Sequence, residues 1–219
     1  MTIDIITGDC RNLIKNIETN SIDLIFTDPP YLREYLYLYE WLAGEDIQRI
    51  IKPNGLIVMY VGCYYLAEVI KLIGDKLEYF MEAIILGSGY GSMIWNRRVI
   101  GRHKSLLIYR PVGGQGIPRC NITSVFTGTG SDKRYHVWGQ DEASARYYID
   151  CLSSVGANVY DPFCGGCTTP AMCKVLGRNC ISHEIDANTA SVASERVKNQ
   201  QMPLSLELIS NQSFVTEAE

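Results

Sequence analysis

Ser21-Ile22-Asp23-Leu24-Ile25-Phe26-Thr27-Asp28-Pro29-Pro30-Tyr31 is an apolar run closed by a carboxylate, two prolines and an aromatic ring. The run reads as a buried strand, and the tetrapeptide as the loop at its carboxyl end. In an open α/β sheet ligands bind beyond the carboxyl ends of the strands, so Asp28, Pro29, Pro30 and Tyr31 face a site. Proline fixes φ and has no N–H, leaving its carbonyl to accept from a ligand. The Asp28 carboxylate and the Pro29 carbonyl can hold the two N–H groups of an aromatic amine while the Tyr31 ring stacks on the base.

A second constellation lies far along the chain. Asn158-Val159-Tyr160-Asp161-Pro162-Phe163-Cys164-Gly165-Gly166-Cys167-Thr168-Thr169-Pro170 reads as a strand, a tight glycine turn and a helix start. Cys180-Ile181-Ser182-His183-Glu184-Ile185-Asp186 reads as the next strand, ending in carboxylates. A glycine turn followed at that distance by an acid is a nucleoside-binding layout, in which the acid accepts from ribose hydroxyls. Strands are expected at residues 2–6, 22–27, 56–61, 81–86, 104–109, 158–160, 179–183 and 204–209. Helices are expected near 10–17, 34–51, 63–73, 141–154, 168–176 and 187–199. Short strands alternating with helices indicate an α/β fold, a mostly parallel sheet with helices on both faces.

Both constellations resemble motifs of the S-adenosylmethionine-dependent amino-methyltransferases, which methylate the exocyclic nitrogen of adenine or cytosine in nucleic acid. Asp28-Pro29-Pro30-Tyr31 is similar to the catalytic loop of that family. Asp161, Pro162, Phe163, Gly165, Thr168 and Thr169 match its cofactor motif, usually Asp-Pro-Phe-x-Gly-x-Gly-Thr-Thr, with Cys164 and Gly166 in the variable places. Cys167 stands where the family has its second glycine, a departure that bears on cofactor strength if positive φ is required there. The resemblance further implies that Glu184 binds the ribose, that Asp186 lies near the adenosine, and that Asp9, after Ile5-Ile6-Thr7-Gly8, accepts from the cofactor's adenine amine. From its own sequence context Asp9 serves equally as the N-cap of the helix at 10–17. The catalytic motif precedes the cofactor motif, which resembles the permuted β-class order of DNA amino-methyltransferases. Ile50 to Met59, His103 to Arg110 and, loosely, His136-Val137-Trp138-Gly139-Gln140 resemble further segments of that group.

What the resemblance implies is a Rossmann-like class I methyltransferase with about seven strands, one of them an antiparallel edge strand. It implies S-adenosyl-L-methionine as cofactor, DNA as partner with adenine flipped from the duplex, and N6 of adenine as target, because Asp at the first position of the tetrapeptide is similar to the adenine enzymes. Methylation of cytosine N4 or of RNA stays open, as does a non-catalytic DNA-binding subunit. A homodimer or a separate specificity partner is compatible with the family.

At 219 residues and 47% apolar content the whole chain can form one catalytic domain. There is no apolar run able to span a bilayer and no signal-like start, so no membrane partner is expected, and eight cysteines read as reduced thiols in a cytoplasm. The net charge of −4 is unhelpful to holding phosphates, so DNA binding has to rest on a local patch. Tyr90 to Lys104 interleaves cations and aromatic groups, and Trp95, Arg97, Arg98, Arg102 and Lys104 are its candidate contacts. Residues 111–135 stand where the family inserts its target-recognition region, and a loop that short holds few base-edge contacts.

The run Tyr35, Tyr37, Tyr39 and Trp41 reads first as helix packing, and His183 as a satisfied core residue. Neither His103 nor His136 is spaced as a metal ligand, and no metal is expected. Cys164-Gly165-Gly166-Cys167 also resembles a thioredoxin-type redox motif, which leaves Asp28, Tyr31 and Glu184 without a role.

Overall fold

In the computed structural model, which describes residues 1–87, 91–128 and 141–201, ten strands and seven α-helices follow one another as β1 (Ile3–Thr7), α1 (Cys10–Leu13), β2 (Ile22–Thr27), α2 (Tyr37–Leu42), α3 (Glu45–Ile50), β3 (Ile51–Gly62), α4 (Leu66–Ile73), β4 (Glu78–Leu86), β5 (Ser92–Ile94), β6 (Val99–Gly101), β7 (His103–Arg110), β8 (Val125–Thr127), α5 (Glu142–Leu152), β9 (Asn158–Asp161), α6 (Thr168–Leu176), β10 (Asn179–Glu184) and α7 (Ala187–Asn199). The strand expected at 204–209 and the segment His136 to Gln140 lie outside the described residues.

Eight strands form one sheet in the order β1-β10-β9-β2-β3-β7-β4-β8. The first five run parallel, and β7 runs antiparallel to both β3 and β4. The antiparallel strand is therefore interior, not at an edge, because β7 follows β4 through a hairpin and then returns between β4 and β3. The outer edge is closed by β8, which pairs parallel with β4.

Alternation along the strands sends side chains to two separate cores. Leu24 and Phe26 of β2, Leu56, Val58 and Tyr60 of β3, and Leu106 and Ile108 of β7 pack with Ala145, Tyr148, Met172, Val175 and Val197 from α5, α6 and α7. Ile22 and Ile25, Ile57, Met59 and Val61, and Leu107 and Tyr109 pack on the other face with Ile14, Tyr39, Leu42, Ile47, Ile50, Val69 and Ile73. The helix expected over 34–51 is broken in two at Gly44, where the chain turns back on α2: a Cβ on Gly44 would lie 3.0 Å from the Trp41 carbonyl oxygen. Between the pairs Ile22–Ile51 and Leu24–Leu56 the register jumps, so β3 is irregular over Lys52 to Gly55.

At the carboxyl ends of β2 and β9 a polar side-chain contact joins the two halves of the parallel sheet, as Asp23 and Asn158 do at the other end. The Thr27 hydroxyl at the end of β2 donates to Asp161 Oδ1 at the end of β9 over 2.7 Å, and the Phe163 N–H donates to the same oxygen at 3.1 Å. Asp161 is only 3% exposed. Burial pushes its carboxyl up to about 6, against the hydrogen bonds from Thr27 and Phe163 that pull it down. Raised in the fold, it contributes its full stability below the unfolded value near 3.8, and that contribution is lost as pH rises through 6. Asp161→Asn keeps an acceptor and removes the charge. The variant should gain about 2 kcal/mol on the parent between about pH 4.5 and about pH 7.5 in urea unfolding. A pH-independent difference would contradict the buried, elevated carboxyl.

Candidate active site

Because β1, β10, β9, β2 and β3 are parallel, their carboxyl ends share one edge. Asp9, Glu184, Asp161 and Asp28 follow these ends in spatial order. The Asp28 to Tyr31 loop is thus brought beside Asp161 and Glu184, more than a hundred positions away in the chain.

On β2 the chain leaves the sheet through Asp28, half-buried, and Pro29, buried, before reaching the exposed Pro30. Tyr31 turns back so that its hydroxyl donates to Asp28 Oδ1. Its ring lies over Gly62 at the end of β3, where a Cβ would sit 3.5 Å from the ring. Lys104 on β7 pairs with Gly62 and holds its Nζ 5.0 Å from the Tyr31 ring centroid, a cation–π contact. Burial, and then the Asp28 carboxylate, hold the Tyr31 hydroxyl well above its ordinary value, so it stays a donor. Tyr39 of α2 is buried and donates to the Tyr60 carbonyl over 3.1 Å, in keeping with the packing role expected for it.

The glycine turn between β9 and α6 is held by backbone and carboxylate together. The Gly165 N–H donates to Glu184 Oε2 at 2.8 Å, and the Asp186 N–H donates to Glu184 Oε1 at 3.0 Å. The Cys167 N–H donates to the Cys164 carbonyl at 2.7 Å. Gly165 has φ 46° and Cys167 φ 65°, so the position where the family's glycine is replaced does adopt the left-handed conformation. For a residue with a Cβ that region costs roughly 1–2 kcal/mol. Pro162, Thr168 and Thr169 are buried, and Thr169 Oγ1 donates to the Phe26 carbonyl at 3.3 Å, so these residues shape the turn from beneath. Phe163 is half-buried with its ring edge on Trp41, 6.2 Å between centroids.

Two acids have structural duties as well. Asp9 caps α1 through the Arg11 N–H at 2.9 Å and pairs with the Arg11 guanidinium, which holds its carboxyl below the usual value. Asp186 caps α7 through the Thr189 N–H and hydroxyl, at 2.7 and 2.8 Å. Ile185, between Glu184 and Asp186, is 73% exposed and offers an apolar surface at the strand end. An apolar residue set outward between two acids was the available signal for it. Arg196, on the buried stripe of α7 with Ala190, Ala193 and Val197, was also missed. It donates to the Gly166 carbonyl and pairs with Glu142 of α5.

Next to the Asp28 to Tyr31 loop, the β5–β6 hairpin leaves the same edge between β4 and β7. Trp95 at its turn is 82% exposed, with Met93, Val99 and Ile100 also outward. Arg97 stacks over Tyr64 with 4.0 Å from its guanidinium carbon to the ring centroid, and Asn96 Nδ2 donates to the Tyr64 hydroxyl at 2.7 Å. Arg98 has φ 53° at the turn, and Arg98 and Arg102 are exposed. Tyr90 lies outside the described residues.

The redox alternative finds no support in the thiols. Cys164 and Cys167 are free and buried, and the neighbouring Cys167 thiol, followed by burial, pushes Cys164 well up instead of down. Reactive thiols of that motif are lowered. His183 is buried, accepts or donates at Nδ1 to the Tyr160 hydroxyl over 3.0 Å, and is lowered to about 4 by burial, as expected of a core histidine. Among the described residues no group of three potential metal ligands occurs, and no helix is long and apolar enough to cross a membrane.

A family model described as DNA methylase, for N6 and N4 methyltransferases, matches residues 22–195. The chain is 27% identical over 233 aligned positions to the type II methyltransferase M.HpaI of Haemophilus parainfluenzae, covering 87% of this chain and 74% of that protein. Its fold matches the PvuII DNA methyltransferase, described as cytosine-N4-specific, with a TM-score of 0.79 at 16% identity, covering 96% of this chain and 91% of that one. It also matches M1.HpyAVI, solved as a complex with SAM, with a TM-score of 0.73 at 20% identity over 90% of this chain and 99% of that one. With the family match spanning most of the 219 residues and both motifs at one sheet edge, the chain belongs to the N6/N4 DNA methylase family.

Proposed function

We propose that this chain is a single catalytic domain that transfers a methyl group from S-adenosylmethionine to the exocyclic N6 of adenine in DNA. The observation that carries this is the position of Asp28 to Tyr31, one strand away from the Asp161 turn and stitched to it by Thr27. The residues at the cofactor end fit a nucleoside. Glu184 accepts one backbone N–H on each oxygen and keeps lone pairs for a ribose diol, beside the apolar faces of Ile185 and Phe163. When bound, S-adenosylmethionine supplies a methyl group on a sulfonium.

An exocyclic amine is a weak nucleophile because its lone pair is shared with the ring. Asp28 Oδ and the Pro29 carbonyl would accept its N–H groups, aim the lone pair, and stabilise the nitrogen as it turns cationic; the N–C bond would form as the methyl–sulfur bond breaks to a neutral thioether, and one N–H proton would then pass to Asp28 or solvent. For this the base N–H must take the place of the Tyr31 hydroxyl on Asp28, freeing the ring of Tyr31 to stack on the base. The carboxylate at the first position of the tetrapeptide supports adenine over cytosine.

Incubation with labelled-methyl S-adenosylmethionine, unmethylated genomic DNA and an RNA control, followed by nucleoside digestion, tests the assignment. Label in N6-methyladenine from DNA is expected; N4-methylcytosine or labelled RNA would replace the substrate, and no label with intact cofactor binding would point to a non-catalytic subunit. Asp28→Ala should lose transfer at least about 100-fold while titrating S-adenosylmethionine normally, as expected for a lost electrostatic and positioning group. Retained turnover would rule out the mechanism.

The exposed hairpin supports a DNA contact for Trp95, Arg97, Arg98 and Arg102, with Lys104 set lower, against Tyr31. Replacing Arg97 and Arg98 together by Ala should weaken DNA binding and reduce the salt slope by about 2. Equal affinity at two salt concentrations would remove the patch. The 111–128 part of the expected recognition segment has only the short strand β8, and 129–135 lies outside the described residues. Such a segment supports short or relaxed specificity, or specificity from a partner subunit. Mapping methylated positions on long mixed-sequence DNA should show a site of few base pairs, and a strict site of about six would overturn this.

A further inference from the structure

The glycine turn contains a residue in a conformation its side chain disfavours, and one buried cation grips the adjoining peptide. Cys167 sits at φ 65° and ψ 31° and is fully buried. The peptide plane preceding it carries the Gly166 carbonyl on one side and the Cys167 N–H on the other. The N–H donates to the Cys164 carbonyl at 2.7 Å, and the carbonyl accepts from Arg196 Nη1. Flipping that plane would rotate φ of Cys167 by roughly 180° and take it out of the left-handed region. The flip would break both bonds at once.

Arg196 is itself fixed. Its side chain is 2% exposed, and Nη2 pairs with Glu142 in the first turn of α5. The guanidinium thus spans α7, α5 and the turn, and its planar fork presents separate donors to the carbonyl and the carboxylate. On the far side of the same turn, Glu184 holds the Gly165 N–H. The turn is clamped from both flanks.

We infer that Arg196 is a positioning residue that holds the Gly166–Cys167 peptide in the orientation the cofactor needs, a task made necessary by the side chain at 167. This rests on the S-adenosylmethionine assignment above. A glycine at that position would adopt the left-handed conformation unaided. Arg196 and Cys167 are therefore energetically coupled with respect to cofactor binding.

The test is a double-mutant cycle on the full chain, read as KM for S-adenosylmethionine, kcat at saturating cofactor, and thermal midpoint. Arg196→Met should raise KM about tenfold, with kcat within about twofold, and Arg196→Lys should raise it less. In the Cys167→Gly background the same Arg196→Met change should raise KM no more than about twofold. If Arg196→Met does not fold, Arg196→Lys carries the same cycle. A purely structural arginine would lower the thermal midpoint equally in both backgrounds and leave KM alone. An unchanged KM, or an equal rise in both backgrounds, overturns the inference. Direct titration of the parent with S-adenosylmethionine separates the two failures: no binding removes the cofactor assignment itself, whereas binding that Arg196→Met leaves unaltered removes only the role of Arg196.

Discussion

The hydrogen bond from Thr27 to the buried Asp161 carboxylate is the contact through which the two ends of the sequence become one site. It joins β2, which delivers the Asp28 to Tyr31 loop, to β9, which delivers the glycine turn. Burying a carboxylate is costly unless its oxygens are bonded. Two donors meet Oδ1, yet the carboxyl remains raised, so desolvation outweighs them. The geometry around Asp161 is accordingly constrained: a shift of either strand would strand a polar group in the core.

From that joint the polarity of the sheet does the rest. Parallel strands place all their carboxyl ends on one side, so Asp9, Glu184, Asp161 and Asp28 come into line without any loop reaching across the molecule. The elements on the two faces have different relations to this edge. On one side α5, α6 and α7 close under the glycine turn, with Arg196 linking α7 to α5 and to the turn. On the other α2 follows the Asp28 to Tyr31 loop, and its Trp41 touches Phe163 of the turn. Phe163 packs against the core on the α2 face, whereas Tyr31 packs against the core on the α5–α7 face.

Much of this was legible in the residues. The apolar run of β2 and the strand at 179–184 are marked by burial patterns that leave little choice of structure, and α6 and α7 have clear ends: Gly177 in the left-handed conformation closes α6, and Asp186 caps α7. The candidate site residues stood out because each motif ends a strand. What was hidden depends on neighbours that sequence order does not specify. The placement of β7 between β3 and β4 is set by a hairpin return, and β5 and β6, at three residues each, are too short to show a period. The pairing of Tyr31 with Asp28 and the grip of Arg196 on Gly166 join residues whose spacing carries no motif. Gly44 was read as part of one long helix because its neighbours are good helix formers, but its backbone is extended and it caps the start of α3.

The hairpin between β4 and β7 occupies a privileged place in the connectivity. It joins two adjacent antiparallel strands, so its ends are already close, and the five parallel strands carry no part of it. Closing a longer loop between fixed ends costs only about 0.6 kcal/mol for each doubling of its length. The connection can therefore lengthen or exchange its tip over evolutionary time while the chemistry below stays untouched. A chain built this way can remodel the surface around that tip without disturbing the parallel strands.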